Sequence, residues 1–302
     1  MGNYSIRDLE QLSNIKAHTL RMWEQRYQLL TPGRTKTRIR YYDDQDLRKI
    51  LNVSFLNQNG LKISHIARMS EQEMAEKVRE IVEEKSDQHN QINALVMAMV
   101  DMDEAMFEKI ISTNSLQMGF ERCMIEIVFP FMHRIGILWQ TGSINPAHEH
   151  FISNLIRQKI LVAIDGQVAP ARENSKRYVL FLPEGELHEL SLLFAAFILK
   201  ARRQQLMYLG QSLPLNDLEG VSKLYQPHYV FSVFTSQPAR HNLPQYVTEL
   251  QALFPHSQVL LTGYQALSAA NEMPEGIRLI HSFEEMIEFV ETGTALRQPE
   301  KG

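Results

Sequence analysis

From Tyr178 to Val290 short apolar runs alternate with helical patterns, and this alternation constrains the fold more than any other feature of the chain. Tyr178–Leu182, Leu206–Leu209, Tyr229–Val233, Val259–Leu261 and Arg278–Ile280 read as strands. Glu189–Gln204, Asp217–Tyr225, Pro244–Phe254 and Phe283–Val290 read as helices. Strands that alternate with helices need crossover connections, so the pattern predicts a parallel, doubly wound sheet of the flavodoxin-like or Rossmann-like class. With strand order 2-1-3-4-5, ligands sit beyond the carboxyl ends of the strands near the switch point. No G-x-G-x-x-G follows the first strand, which argues against a dinucleotide.

The 302 residues leave room for two further domains. Residues from about Glu71 to Gly166 are helical in pattern, with apolar positions three and four apart as in Ile92, Leu95, Val96, Met99 and Val100, and predict a bundle. The expected division is 1–72 for a winged helix-turn-helix, 80–168 for the bundle and 176–293 for the sheet. The single cysteine, Cys123, lies in an apolar stretch and reads as a buried thiol. The longest apolar run, Leu190–Leu199, is about half a membrane span, and charges occupy the first ten residues where a signal peptide has its apolar core. The expectation is a cytoplasmic protein with no membrane partner.

The net charge of −4 gives the whole molecule no attraction for polyanions, so any nucleic-acid site rests on a local basic cluster. The first segment supplies one. Ser5–Leu12 reads as a helix, Ser13-Asn14-Ile15 as a tight turn and Ala17–Tyr27 as a second helix. Lys16, Thr19, Arg21, Arg26 and Tyr27 lie on or beside that second helix. After Pro32-Gly33 comes an extended hairpin in which Arg34, Lys36, Arg38 and Arg40 place four positive charges within seven residues, followed by Tyr41. Helix, turn, helix and basic hairpin make a winged helix-turn-helix, whose second helix suits the major groove and whose wing reaches phosphates or the minor groove of duplex DNA.

The residues Tyr4-Ser5-Ile6-Arg7-Asp8-Leu9, Thr19 to Tyr27 and Arg40-Tyr41-Tyr42-Asp43 resemble the MerR family over about the first 70 positions. The resemblance implies that Thr19 and Arg21 face bases and that Arg34, Arg40 and Tyr41 grip the backbone. Arg38 stands where the family often has a wing glycine. Paired half-sites also imply that the chain meets its operator as a dimer or higher homo-oligomer.

After the first predicted strand comes Glu186-Leu187-His188, an imidazole at a helix start beside a carboxylate. The helix terminus favours neutral His188, the form that ligates a metal, and Glu186 is placed to hold its second ring nitrogen. In the bundle, Trp139, Glu149 and His150 form W-x9-E-H. His148 and His150 are two apart and share no helical face, so they make a poor metal pair.

Together the bundle and sheet resemble cobalamin-binding modules, and the whole chain resembles the light-sensing, cobalamin-dependent MerR-type repressors. That resemblance implies cobalamin, as adenosylcobalamin, with His188 ligating cobalt from below and Trp139, Glu149 and His150 covering the upper face. It extends to Ser232-Val233-Phe234 for the family's Ser-x-Leu and Thr262-Gly263 for its Gly-Gly, while Ser191 replaces the glycine of acid-x-His-x-x-Gly. Side chains are thus added at Ser191, Phe234 and Thr262, where they would crowd the corrin or its nucleotide tail. Two alternatives stay open beside a cobalamin-sensing regulator. One is a regulator of the same build that uses its C-terminal half for self-association or partner binding. The other is a corrinoid carrier for methyl transfer, against which the winged segment argues.

Overall fold

The computed structural model describes residues 4–34, 39–84, 88–140, 145–238 and 242–293. Its contacts divide into two compact units, Met1–Leu155 and Ile156–Gly302. Lys36 and Arg38 lie outside the described residues.

In the first unit, α1 (Ile6–Ser13) begins at Ser5, whose hydroxyl accepts from the Asp8 amide while Asp8 caps the Ser5 amide in return. Asn14 closes α1 in the left-handed conformation, a cheap one for asparagine. The second helix, α2 (Ala17–Tyr27), has no side-chain cap of its own at Lys16; Glu10 accepts from the Ala17 amide instead. The wing consists of β1 (Gly33–Arg34) and β2 (Arg40–Tyr41), antiparallel, with Tyr42 bridged to Tyr4. Next is α3 (Asp44–Gln58), capped by a box between Asp43 and Asp46, and the short α4 (Ile63–Ile66). Leu9, Leu12, Leu20, Leu47, Ile50 and Phe55 close the core between these helices.

The bundle helices follow: α5 (Glu71–Glu84), α6 (Gln88–Val100), α7 (Glu104–Met118), α8 (Phe120–Cys123), α9 (Phe129–Gln140) and α10 (Pro146–Asp165). Between α8 and α9 the chain forms a π-helical turn, Met124–Val128. Pro130 has a physical part in it: it lacks the N–H that would bond the Glu126 carbonyl, which accepts instead from the Gln88 side-chain amide. Cys123 is free and buried.

The second unit holds a five-stranded sheet made of β3 (Arg177–Pro183), β4 (Gln205–Leu213), β5 (Tyr229–Val233), β6 (Gln258–Thr262) and β7 (Arg278–Leu279). Their order is β4-β3-β5-β6-β7 and every pairing is parallel, which is the expected 2-1-3-4-5 arrangement. Between the strands run α11 (Leu190–Ala201), α12 (Leu218–Tyr225), α13 (Leu243–Leu253) and α14 (Tyr264–Ser268), with α15 (Phe283–Thr292) last. The apolar run is α11: Leu192 through Leu199 are all buried, and Phe194 meets Phe283 of α15 edge-on at 4.8 Å. Its hydrophobicity serves a buried helix, and no helix among the described residues is long and apolar enough to cross a membrane.

Candidate functional site

The winged segment exposes polar groups on α2 and on its strand pair. In α2, Leu20 and Trp23 are buried while Arg21, Met22, Gln25 and Arg26 are exposed and Thr19 is half-buried. Lys16 lies 3.3 Å from Glu10, and the Arg26 guanidinium sits over the Tyr27 ring at 5.5 Å. In the wing, Arg34 is directly opposite Arg40, and like charges in that register repel. Glu24 offsets part of the repulsion: it lies 3.4 Å from Arg40 Nε and accepts from Tyr42 Oη at 3.1 Å. Burial first, and then the charge of Glu24, push the Tyr42 hydroxyl up to about 12. The Tyr41 ring packs against Gly33, where a Cβ would fall 2.3 Å from it, so any larger residue there would displace the ring. The wing is therefore pinned to α2 and keeps a positive edge for a polyanion.

The second constellation stands at the carboxyl edge of the sheet. After β3 the chain turns through Gly185, and the Glu186 side chain folds inward to 2 % exposure. Its Oε1 accepts from the amides of Leu187 at 3.0 Å and His188 at 3.1 Å, and lies 2.5 Å from His188 Nδ1. Its Oε2 accepts from the amides of Thr235 and Ser236, each at 2.9 Å, and from Ser236 Oγ at 3.0 Å. Burial pushes this carboxyl up, but the hydrogen bonds from His188 and Ser236 outweigh it and hold the group near about 2. The imidazole remains 69 % exposed. With Nδ1 engaged by a carboxylate, Nε2 is the nitrogen a metal would take.

The structure thus brings Glu186 and His188 together with residues after β5 that sequence reasoning missed. Thr235 and Ser236 contribute mainly through backbone amides, which carry no residue signature. It also missed Glu189, whose carboxylate accepts from Tyr208 Oη at 2.9 Å and from Arg157 Nε at 2.8 Å, anchoring the residue after His188.

The other positions fall as follows. Ser232 is fully buried and donates to the Phe181 carbonyl at 2.9 Å. Phe234 is also fully buried, edge-on to Tyr246 at 5.5 Å, so its added bulk enters the core and does not crowd the exposed edge. Gly263, at φ +99°, packs so closely that a Cβ would lie 2.5 Å from the Phe234 carbonyl oxygen; glycine is required there. Thr262 and Ser191 are half-buried. In α10, Glu149 accepts from Ser153 Oγ at 2.6 Å and lies 3.4 Å from His150, whose side chain is exposed. Trp139 belongs to α9, but its side chain lies outside the described residues.

Residues 4–73 match the family model of the MerR HTH family regulatory proteins, and residues 91–163 match that of the B12 binding domain. The chain therefore carries a MerR-type HTH domain and a B12-binding domain. The HTH-type transcriptional repressor CarH of Myxococcus xanthus is 23% identical over 287 residues, covering 93% of this chain and 95% of that protein. The repressor CarA of the same organism is 27% identical, covering 74% of each chain. In fold, 68% of the chain superposes on 99% of the monomethylamine corrinoid protein of Methanosarcina barkeri, with a TM-score of 0.52 and 14% identity. These matches support a DNA-binding transcriptional regulator with a cobalamin-type cofactor. Its donor set suits that cofactor: one imidazole, oriented by a buried carboxylate, at the edge where doubly wound sheets bind ligands.

Proposed function

We propose that this regulator senses cobalamin, in the form of adenosylcobalamin, and controls transcription by changing how it engages its operator. The observation that carries the reading is the Glu186–His188 couple at 2.5 Å, held on an exposed edge. His188 would hold the cobalt, and Glu186 would fix its tautomer and orientation. Leu187 and Tyr264 support this assignment, being exposed apolar side chains that follow β3 and β6 at the same edge. A flat macrocycle would cover such groups. Trp139, Glu149 and His150 are the other residues proposed to serve the cofactor. A bound alkylcobalamin supplies a cobalt–carbon bond that light can break. The protein's part is to bind one form of the cofactor better in one of its conformers, and operator affinity changes by no more than that difference. Thr19 and Arg21 read bases; Lys16, Arg26, Tyr27, Arg34, Lys36, Arg38, Arg40 and Tyr41 contact the backbone. The regulator acts as a dimer or higher oligomer.

Purification from excess adenosylcobalamin in the dark tests this. The wild type is expected to retain a cobalamin spectrum through a sizing column and to elute larger than one chain. His188→Ala is expected to lose the spectral shift of imidazole ligation, whereas His148→Ala keeps it. Wild-type protein that emerges colourless would defeat the sensing reading and leave DNA binding standing.

A further inference from the structure

The turn of the helix-turn-helix is held from outside the winged segment. Arg134, on α9, donates through one nitrogen to the Leu12 carbonyl and through another to Asn93 Oδ1, both at 2.6 Å. Asn93, on α6, donates to Gln58 Oε1 at 3.1 Å, and Gln58 Nε2 donates to Ser54 Oγ at 3.1 Å. Ser54 donates to the Ser13 carbonyl at 2.6 Å. The chain of bonds therefore starts and ends on adjacent carbonyls, Leu12 and Ser13, at the point where α1 gives way to the turn. Helix ends leave their last carbonyls unpaired and attract cations, and α1 has no basic residue in its own last turn. Arg134 supplies that cation from the bundle.

Stability alone is a weak reason for such a group. Burial lowers the pKa of the Arg134 guanidinium, and its two hydrogen-bond acceptors are neutral oxygens. Taking an arginine out of water costs several kcal/mol, so an apolar side chain of similar size would serve packing at least as well. What arginine adds is direction: a planar fork that fixes two acceptors relative to each other. One acceptor is a bundle side chain and the other is the backbone two residues before the turn residue Asn14. The fork thereby ties α9 to the end of α1, directly before the turn that leads into α2.

We propose that Arg134 is a positioning residue for the recognition helix, so that the bundle sets operator affinity within a single chain. The proposal rests on DNA binding and not on the cobalamin reading. Its test uses full-length protein and a duplex selected by the wild type from a random-sequence pool, with an unselected duplex as control. Arg134→Met is expected to lower affinity for the selected duplex by about 2- to 30-fold, the range for residues that couple sites without touching ligand. Affinity for the control duplex and the salt slope stay unchanged, because no phosphate contact is lost. Arg134→Lys restores part of the loss. Ser54→Ala, which cuts the other end of the ring, shifts affinity in the same direction and covers the case in which Arg134→Met fails to fold. Unchanged affinity for the selected duplex in folded Arg134→Met, or an equal loss on both duplexes with a shallower salt slope, would overturn the proposal.

Discussion

Glu186→Gln is expected to destabilise the sheet unit by about 2–5 kcal/mol, a large effect for an isosteric change. The reason lies in the donors. Both carboxylate oxygens accept from two backbone amides, so a glutamine must turn its NH2 group toward two N–H groups whichever way it flips. Two part-buried amides then lose their acceptor, each at a cost of about 1–3 kcal/mol. The pH dependence follows from the carboxyl being held near about 2 against an ordinary value of 4.5. Its contribution is fully present above 4.5 and is lost as pH falls through about 2. Denaturant titrations of wild type and variant should therefore differ most near neutral pH and converge in acid. In cobalamin titrations the same variant should lose about 10- to 100-fold in affinity, as when the partner of a metal-bound histidine is removed. His188→Ala separates the two effects, since it removes the imidazole while the four backbone amides keep their bonds to Glu186. Equal denaturation midpoints for wild type and Glu186→Gln at pH 7 would show that the carboxylate does not hold the loops together.

What could be read from the sequence followed from local chemistry. Period and punctuation were enough for all five strands and their order, because alternating strands and helices leave few topologies. Ser5 announced a helix start by residue type. The pairing of Glu186 with His188 was legible because the two lie two residues apart, in one loop. The support around them was not: Thr235 and Ser236 lie 49 and 50 positions from Glu186 and act through main-chain amides. Arg134 was invisible for the same reason, since it meets Leu12 across 122 positions and its acceptor is a carbonyl. The concern over Phe234 shows the opposite failure. A bulky side chain next to a ligand edge reads as an obstruction, and only the packing against Tyr246 shows that it faces inward.

The second large effect concerns the wing. Removing both Arg34 and Arg40 as alanines should weaken binding to any duplex, selected or not, by a factor that shrinks as salt rises. Each arginine that neutralises a phosphate releases counterions, and its loss lowers the slope of log affinity against log salt by about 1. In a dimer every substitution counts twice, so the double variant should lose about 4 from the slope. The two side chains face each other across the strand pair, and their repulsion is only partly offset by Glu24. Their removal relieves the repulsion but also takes away the Arg40–Glu24 pair, leaving the Tyr42–Glu24 bond to hold the wing, so thermal unfolding of the variant beside the wild type shows whether a fall in affinity reports lost contacts with DNA. Arg21→Ala supplies the contrast. It is exposed on α2, where a base contact costs about 1–3 kcal/mol on the selected duplex and little elsewhere. If the wing variant kept the full slope, or if Arg21→Ala weakened both duplexes equally, the assignment of wing to backbone and α2 to bases would fail. Measured across salt concentrations, the two variants separate positioning on the phosphates from the reading of sequence, which one affinity at one salt concentration cannot do.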